Sequence, residues 1–150
     1  MFNNKTEYVL CYGLNMNRDK VVVMKKNRPW YLAGKWNAPG GGVEHAESIH
    51  EASTREFEEE TGIKIMPDRW ESIGRLEGEG YVVHCLVSFT DDILNAKTMT
   101  DEEVKVIEYR KLLIDIAKNN KNYSDDLGPM LQVAVSSGYK YFVLERGTKP

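Results

Sequence analysis

The sequence is poor in the residues that build disulfide or zinc sites. Its 150 residues include two cysteines, Cys11 and Cys85, each inside an apolar, strand-like segment. No second thiol lies at CxxC spacing, and the three histidines, at positions 45, 50 and 84, form no ligand pattern. A zinc site is therefore not expected. We expect two reduced thiols in or near the core.

Long apolar runs, repeats and linker-like segments are missing as well. No stretch approaches the roughly 18 apolar residues that span a bilayer, and the N-terminal segment shows no secretion signal. No stripe of Lys and Arg interleaved with aromatics indicates nucleic-acid binding. Hydrophobic content of 41% and charged content of 29% are typical of a globular chain. We therefore expect one soluble, cytoplasmic domain over residues 1–150, with neither a membrane nor a nucleic-acid partner.

Negative charge is concentrated in one segment. The net charge of the chain is −3, yet residues 41–63 carry seven glutamates and one arginine. The remainder of the chain is thus slightly basic. One acidic pole in such a domain suits a divalent cation together with a phosphorylated ligand.

Periodicity and turn signals predict an α/β domain. Ser48 and Glu51 form a capping-box signature, so a helix is predicted to begin near residue 48 and to stop at Gly62. A second helix is predicted near residues 125–137, ending at Gly138, and residues 30–42 are predicted to be a loop. Strands are predicted over residues 7–14, 20–26, 71–77, 80–90, 103–109 and 139–145. This order favours a mixed sheet between helical layers.

The first predicted helix places acidic side chains on its apolar face. At about 100° per residue, Glu56 and Glu60 continue the face of Ile49 and Ala52, and Glu59 lies at its flank. The opposite, solvated side carries Glu51, Thr54 and Glu58. Partly buried like charges at this spacing repel one another and lose hydration unless a cation compensates. One arginine cannot neutralise three carboxylates, so Mg²⁺ or Mn²⁺ is the expected cofactor.

The same residues carry a family resemblance. Gly41, then Glu47 after five residues, then the run REFEEETGI over residues 55–63 resembles the Nudix box at every defined position. The resemblance implies an α/β/α sandwich with a mixed sheet. It also implies Mg²⁺- or Mn²⁺-dependent hydrolysis of a nucleoside diphosphate linked to another moiety.

Roles for individual residues follow from the resemblance. The implied metal ligands are Glu56, Glu59, Glu60 and the backbone carbonyl of Gly40. Arg55 and Glu47 would be a supporting pair that orients the glutamates. A further acidic ligand commonly follows the box, and here Glu103 is the first choice and Glu102 the alternative. The general base that takes the proton from water would be Glu56, with Glu103 as second choice.

The run GKWNAPGGGVE over residues 34–44 and the run YSDD over residues 123–126 resemble segments of Nudix enzymes that remove oxidised purine nucleoside triphosphates. This resemblance implies that Asn37 contacts the base, that Lys25 lies near the phosphates, and that Tyr123, Asp125 and Asp126 form the rest of the base pocket. Trp30 or Tyr31 could also supply a stacking face. Ser124 with the two aspartates is equally compatible with a plain helix N-terminus, with Ser124 as the cap.

Several alternatives stay open. Nudix enzymes that act on ADP-ribose tend to have a proline near positions 76–80, which is absent here, whereas Tyr81 weakly favours a dinucleoside polyphosphate. Tyr81 is also suited to opening a strand. A non-catalytic nucleotide sensor or an isomerase is disfavoured by the intact box and the short chain. We expect a hydrolase with a nucleotide substrate, as a monomer or a homodimer.

Overall fold

The computed structural model describes residues 4–136 and 141–147. For Phe142 it describes only the backbone. The described strands all belong to one sheet. In chain order they are β1 (Thr6–Leu14), β2 (Lys20–Lys25), β3 (Trp36–Asn37), β4 (Gly40–Gly42), β5 (Glu71–Gly78), β6 (Tyr81–Phe89), β7 (Val104–Glu108) and β8 (Phe142–Glu145). The helices among the described residues are α1 (Ile49–Thr61), α2 (Tyr109–Lys118) and α3 (Leu127–Val135), with short 3-10 turns at Pro67–Arg69, Asp91–Asn95 and Asn120–Asn122.

The sheet is mixed. Its strand order is β3-β2-β1-β6-β5-β8, with β4 paired to β1 and β7 paired to β2. The β1–β6 and β5–β8 pairs are parallel, and the other pairs are antiparallel. Because β4 lies against β1, the glycines of the Nudix box are part of the sheet.

Two apolar clusters cover the two faces of the sheet, because the side chains of a strand alternate between its faces. The α1-side cluster includes Cys11 and Met24 from the strands, Phe57 from α1, and Trp70. The α3-side cluster, on the opposite face, is built from Tyr12, Cys85, Leu112, Tyr123, Leu127, Leu131 and other buried residues. The predicted α/β/α sandwich with a mixed sheet is therefore confirmed.

Helix α1 begins and ends where local sequence signals predict. The Ser48 side chain accepts from the Glu51 amide, and the Glu51 side chain accepts from the Ser48 amide, which completes the capping box. Gly62 ends the helix in the left-handed region, with φ 79°, a conformation in which glycine carries no steric cost. These two ends place residues 55–60 against the glycines of β4.

The second half of the chain departs from the prediction. Helix α2 was not predicted, although its apolar residues at positions 109, 112, 113 and 116 have helical spacing. No side chain caps its start, and it follows β7 without a loop, so the usual start signal is missing. Helix α3 begins at Leu127 rather than 125, and Ser124 is not its cap. The predicted stop at Gly138 and the first two residues of the last predicted strand lie outside the described residues.

A smaller difference concerns the loop before the box. The segment predicted as a loop, residues 30–42, contains the short strands β3 and β4. Such short strands carry too few residues for an alternating pattern.

Within residues 4–136 and 141–147, no helix is long and apolar enough to cross a membrane.

Candidate active site

Glu60 is the most enclosed carboxylate of the box. Its residue is 8% exposed, and its Oε1 accepts a hydrogen bond of 2.8 Å from the backbone amide of Gly40. The pKa of Glu60 is raised to about 7: burial is the main cause and the charges of Glu56 and Glu102 add to it, while the Lys26 charge and the Gly40 amide oppose it. This carboxylate is fixed at the start of β4 by a backbone amide.

Glu56 lies one turn earlier on the same helix face. Its side chain is 14% exposed, and its Oε1 accepts from Arg55 Nη1 at 2.7 Å. A Cβ atom at Gly41 would collide with the Glu56 carboxylate, so the glycine lets this carboxylate lie directly against the strand backbone. Burial raises the pKa of Glu56, and the hydrogen bond from Arg55 partly offsets that effect.

Arg55 and Glu47 form the predicted supporting pair. Arg55 Nε donates to Glu47 Oε2 at 2.8 Å, and its Nη2 donates to Glu47 Oε1 at 2.9 Å. The same Nη2 also donates to the Gly42 carbonyl at 2.9 Å. The Arg55 hydrogen bonds hold the pKa of Glu47 below its usual value. One guanidinium thus ties the loop before α1, the end of β4 and the Glu56 carboxylate together.

Glu59 differs from the two enclosed glutamates. Its side chain is 58% exposed, and Arg55 Nη1 lies 3.6 Å from its Oε2. Glu51 and Glu58 are exposed, in agreement with the predicted solvated side of α1. The burial pattern of α1 therefore follows the helical-wheel prediction, with Glu56 and Glu60 inward and Glu59 at the rim.

The acidic segment after the box presents Glu102 to this site rather than Glu103. Glu102 is 4% exposed, and its charge acts on the carboxyl of Glu60. The Glu103 side chain is 53% exposed, and its nearest charged partner is Lys105 Nζ at 3.8 Å. Of the two residues proposed as the further ligand, the alternative is the one that the fold turns toward Glu60.

Neighbouring lysines show the same one-residue distinction. Lys25 is exposed and lies opposite Trp36 in the β2–β3 pair. The Lys26 side chain is 14% exposed, and its charge acts on Glu56 and Glu60. The resemblance implies Lys25, whereas in the structure the lysine whose charge acts on the carboxylates is Lys26. The alternation of β2, continued by one residue, was the signal that could have found it.

Asn37 is buried next to the glycines. It is 6% exposed, lies opposite Met24 in the β2–β3 pair, and its Oδ1 accepts from the amide of Ala38 at 2.8 Å. Among the described residues, the structure records no hydrogen bond between Asn37 and Asp125 or Asp126. The amide is therefore close to the box, but it is not joined to the two aspartates.

The start of α3 is partly occupied by structural contacts. The Tyr123 ring belongs to the α3-side cluster, and its hydroxyl donates to Asp115. Asp126 is ion-paired with Arg146, which follows β8. Asp125 is exposed to solvent. The tertiary structure thus gives Tyr123 and Asp126 partners within the protein.

The remaining aromatic candidates lie in two places. Trp30 is 87% exposed and Tyr31 58% exposed, and their rings meet edge to face with centroids 5.8 Å apart. Tyr81 opens β6, and its ring lies so close to Gly78 that a Cβ there would overlap it. The first pair offers an open aromatic surface, whereas Tyr81 packs on the sheet.

The donor set fits a hard divalent cation. Carboxylates at positions 56 and 60 are desolvated beside a glycine strand that leaves room for oxygen ligands, and Glu59 lies at the rim. Among the described residues, however, no three acidic, histidine or cysteine side chains already form a metal-binding group. Arg55 and Lys26 instead act as counter-charges for these carboxylates.

Comparisons with known proteins agree with this site. The sequence model of the NUDIX domain matches residues 5–127. An uncharacterized Nudix hydrolase of Bacillus subtilis is 46% identical over 48 residues, which cover 32% of this chain and 28% of that protein. An 8-oxo-dGTP diphosphatase of Buchnera aphidicola is 31% identical over 61 residues, which cover 41% of this chain and 47% of that protein. The chain thus spans less than half the length of these relatives.

Solved structures show the same fold. A NUDIX hydrolase from Nitrosomonas europaea superposes with a TM-score of 0.71 at 18% identity, covering 97% of this chain and 82% of that one. At this identity the likeness establishes the fold alone. The match to the NUDIX domain model covers most of the sequence and includes the box around Glu56 and Glu60, so it establishes the family as well as the fold. The chain belongs to the Nudix domain family.

Proposed function

We propose that the protein hydrolyses a pyrophosphate bond in a nucleoside triphosphate, releasing a monophosphate and pyrophosphate, with Mg²⁺ or Mn²⁺ as cofactor. The observation that carries the proposal is the pair of enclosed carboxylates, Glu56 and Glu60, against the glycines of β4. The Nudix hydrolases named among the relatives support this reaction class.

The chemistry follows from the charges. A bound divalent cation would neutralise phosphate oxygens, acidify water and stabilise the charge that develops on the leaving group. Glu56, Glu59, Glu60 and the Gly40 carbonyl would hold it, with Glu103 or Glu102 as a further ligand. The burial of Glu102 and the action of its charge on the Glu60 carboxyl favour Glu102.

The residues then divide the remaining work. The oxygen of water forms a bond to phosphorus, the bridging phosphorus–oxygen bond breaks, and Glu56 accepts the proton from water. Arg55 acts as a positioning residue, because its contacts to Glu47 and Gly42 hold its guanidinium against Glu56. A Glu56 held in this way enters the reaction already oriented.

For the substrate, we propose a purine nucleoside triphosphate, and in particular an oxidised one such as 8-oxo-dGTP. The Buchnera relative is named for this activity. Asn37, buried four residues before Gly41, is the amide closest in sequence to the box, and Trp30 and Tyr31 offer an exposed aromatic surface. In this proposal Lys25 contacts phosphate, and Asp125 with Asp126 and Tyr123 completes the base pocket. Use of Asp126 requires that its pair with Arg146 opens.

The metal-site part is tested by charge removal on α1. Glu60→Gln and Glu59→Gln should each lower kcat by about 100-fold or more, because each removes a charged oxygen ligand. Pyrophosphate release is measured with Mg²⁺ and with EDTA, and circular dichroism checks the fold. Glu58→Gln, on the exposed side of the same helix, is the matched control and should keep wild-type activity. Activity that survives EDTA and both substitutions would contradict the proposal.

The substrate part is tested by a panel. We measure kcat/KM for 8-oxo-dGTP, dGTP, dATP, ADP-ribose and diadenosine polyphosphates on wild type, Asn37→Ala and Asp125→Ala. Loss of a polar contact in a closed pocket costs about 1–3 kcal/mol, so each substitution should lower kcat/KM for the preferred purine roughly tenfold to a hundredfold. If ADP-ribose or a dinucleotide is preferred, the purine triphosphate assignment is wrong, while the hydrolase assignment stands.

A further inference from the structure

Lys26 is a cation placed among the carboxylates of the site. It follows the last residue of β2, and its side chain is 14% exposed. Its Nζ lies 3.2 Å from Glu102 Oε1, and the Glu102 side chain is 5% exposed. A lysine enclosed in this way loses hydration, so its ammonium group depends on the acidic side chains around it.

Glu102 has a second contact that does not depend on Lys26. Its Oε2 accepts a hydrogen bond of 2.6 Å from the backbone amide of Asn27. The same two segments are joined by Asn27 Nδ2 to the Asp101 carbonyl at 2.7 Å and by Arg28 Nη2 to Asp101 Oδ2 at 2.5 Å. Glu102 is therefore anchored through one oxygen by the backbone, and its other oxygen lies 3.2 Å from Lys26 Nζ and 3.9 Å from Nη1 of the more exposed Arg28.

The Lys26 charge extends beyond Glu102. It acts on the carboxyls of Glu60 and Glu56, where it opposes the larger effect of burial on their pKa values. Arg55 compensates the charge of Glu56 through a direct hydrogen bond. For Glu60 the Lys26 charge is the main opposing influence, together with the Gly40 amide. One ammonium thus compensates the most enclosed acids of the site.

We propose that Lys26 is an exchangeable counter-ion: its ammonium balances Glu60 and Glu102 in the metal-free protein and gives way when a divalent cation binds the same carboxylates. Removal of Lys26 would leave Glu60 without its main counter-charge and Glu102 with the more distant, exposed Arg28 as its cation, which destabilises the metal-free protein. The same removal would take away a positive charge that competes with the metal, which strengthens metal binding. Because Lys26 acts through these carboxylates and not on the substrate, it is a positioning residue. The inference rests on the proposed function, which supplies the cation.

The test compares Lys26→Met with Lys25→Met. The neighbouring lysine has the same charge but is exposed, so it controls for the loss of one positive charge. Thermal unfolding is followed in EDTA and in saturating Mg²⁺, and Mn²⁺ affinity is measured by calorimetry. Lys26→Met should lower Tm in EDTA, should lose most of that deficit in Mg²⁺, and should bind Mn²⁺ about three- to tenfold more tightly than wild type. Lys25→Met should leave Tm and Mn²⁺ affinity close to wild type.

Other results overturn the inference. An equal Tm deficit in EDTA and in Mg²⁺ would show an ordinary structural ion pair, and unchanged or weaker Mn²⁺ binding would show that Lys26 does not compete with the metal. If Lys26→Met does not fold in EDTA, Lys26→Arg replaces it. This variant keeps the charge and should keep both Tm and Mn²⁺ affinity near wild type, so tighter Mn²⁺ binding by Lys26→Arg overturns the inference. If wild type itself binds no divalent cation, the proposed function fails, and the inference fails with it.

Discussion

At the residue scale, the three carboxylates of the box occupy three different environments on one helix. A backbone amide holds Glu60, a guanidinium holds Glu56, and Glu59 is half-exposed beside the same guanidinium. The last turn of α1 contains no basic residue, although the helix dipole disfavours negative charge there. The enclosed glutamates are thus unfavourable for the isolated helix, and this cost is consistent with a site that a cation completes.

The pair of Arg55 and Glu47 makes a pH-dependent contribution to stability. Because Arg55 holds the pKa of Glu47 below its usual value, this contribution is present above the ordinary carboxyl pKa of about 4 and is lost as the pH falls through the lowered value. Glu47→Gln should therefore lower the free energy of unfolding by about 1–2 kcal/mol at pH 7. The deficit should narrow as the pH falls below about 4, because protonated Glu47 resembles glutamine.

The measurement is urea unfolding of wild type and Glu47→Gln at intervals between pH 3 and pH 7. Glu58→Gln is the control, because Glu58 lies on the exposed side of the same helix and should follow wild type throughout. A deficit of Glu47→Gln that stays constant over this range would contradict the argument, since it would not arise from the ionised pair.

At the element scale, α1 is positioned by the close approach of Phe57 to β1. A Cβ at Gly13 would lie 2.6 Å from Phe57 Cζ and 3.3 Å from Ile93 Cγ2, so the absence of a side chain lets the ring lie on the strand. Phe57 also packs edge to face against Trp70, with centroids 5.3 Å apart. Because Phe57 follows Glu56 directly, the packing of the Phe57 ring against the sheet helps to set the position of the carboxylates.

Gly13→Ala should consequently reduce both stability and activity. Overpacking in a well-packed core costs about 1–3 kcal/mol, and a displaced Phe57 would shift Glu56 and Glu60 relative to β4. Gly128→Ala is the contrasting substitution, since a Cβ there would meet Ile116 Cγ2 at an ordinary 3.6 Å. In helix α3 it should leave stability within about 1 kcal/mol of wild type, because the helix propensity gained from alanine is offset by the clash of its Cβ with the following Pro129.

Both variants are compared with wild type by urea unfolding and by kcat under saturating Mg²⁺. The expected pattern is a loss of both quantities for Gly13→Ala and near-wild-type stability with unchanged kcat for Gly128→Ala. A stable Gly13→Ala variant with wild-type kcat would show that the ring can move without disturbing the site.

At the scale of the whole molecule, the two apolar clusters share one sheet. Neighbouring residues of β1 face opposite ways, with Cys11 in the α1-side cluster and Tyr12 in the α3-side cluster. Cys85 belongs to the α3-side cluster, so each layer contains one buried thiol. Burial raises the pKa of the Cys85 thiol to about 12 and raises that of Cys11 as well. Both should be inert toward thiol reagents in the folded protein.

The thiols therefore report whether the chain unfolds as one unit, as predicted for a single domain. Pulsed alkylation across a urea gradient, read by mass spectrometry of the two cysteine peptides, should show both thiols becoming reactive at the same urea midpoint. The midpoint should coincide with that from circular dichroism. Cys11 and Cys85 reacting at clearly different midpoints would show that the two layers unfold separately.

Features determined by the sequence itself are those that depend on short spacing. Ser48, Glu51 and Gly62 specify the ends of α1 through contacts between residues at most four apart, and the helical wheel places Glu56 and Glu60 inward. The contact between Arg55 and Glu47 is different: the resemblance to the Nudix box implies it, but the residues are eight apart and Glu47 precedes α1, so helical spacing alone does not bring them together.

Only the tertiary structure decided which of two adjacent residues enters the site. Lys26 rather than Lys25, and Glu102 rather than Glu103, face the carboxylates, because the pairing of β2 with β7 sets which side each chain presents. Likewise the parallel pairing of β5 with β8 brings Arg146 to Asp126. A shift of one residue in strand register reverses every side chain, and register depends on contacts between distant parts of the chain, which no local pattern contains.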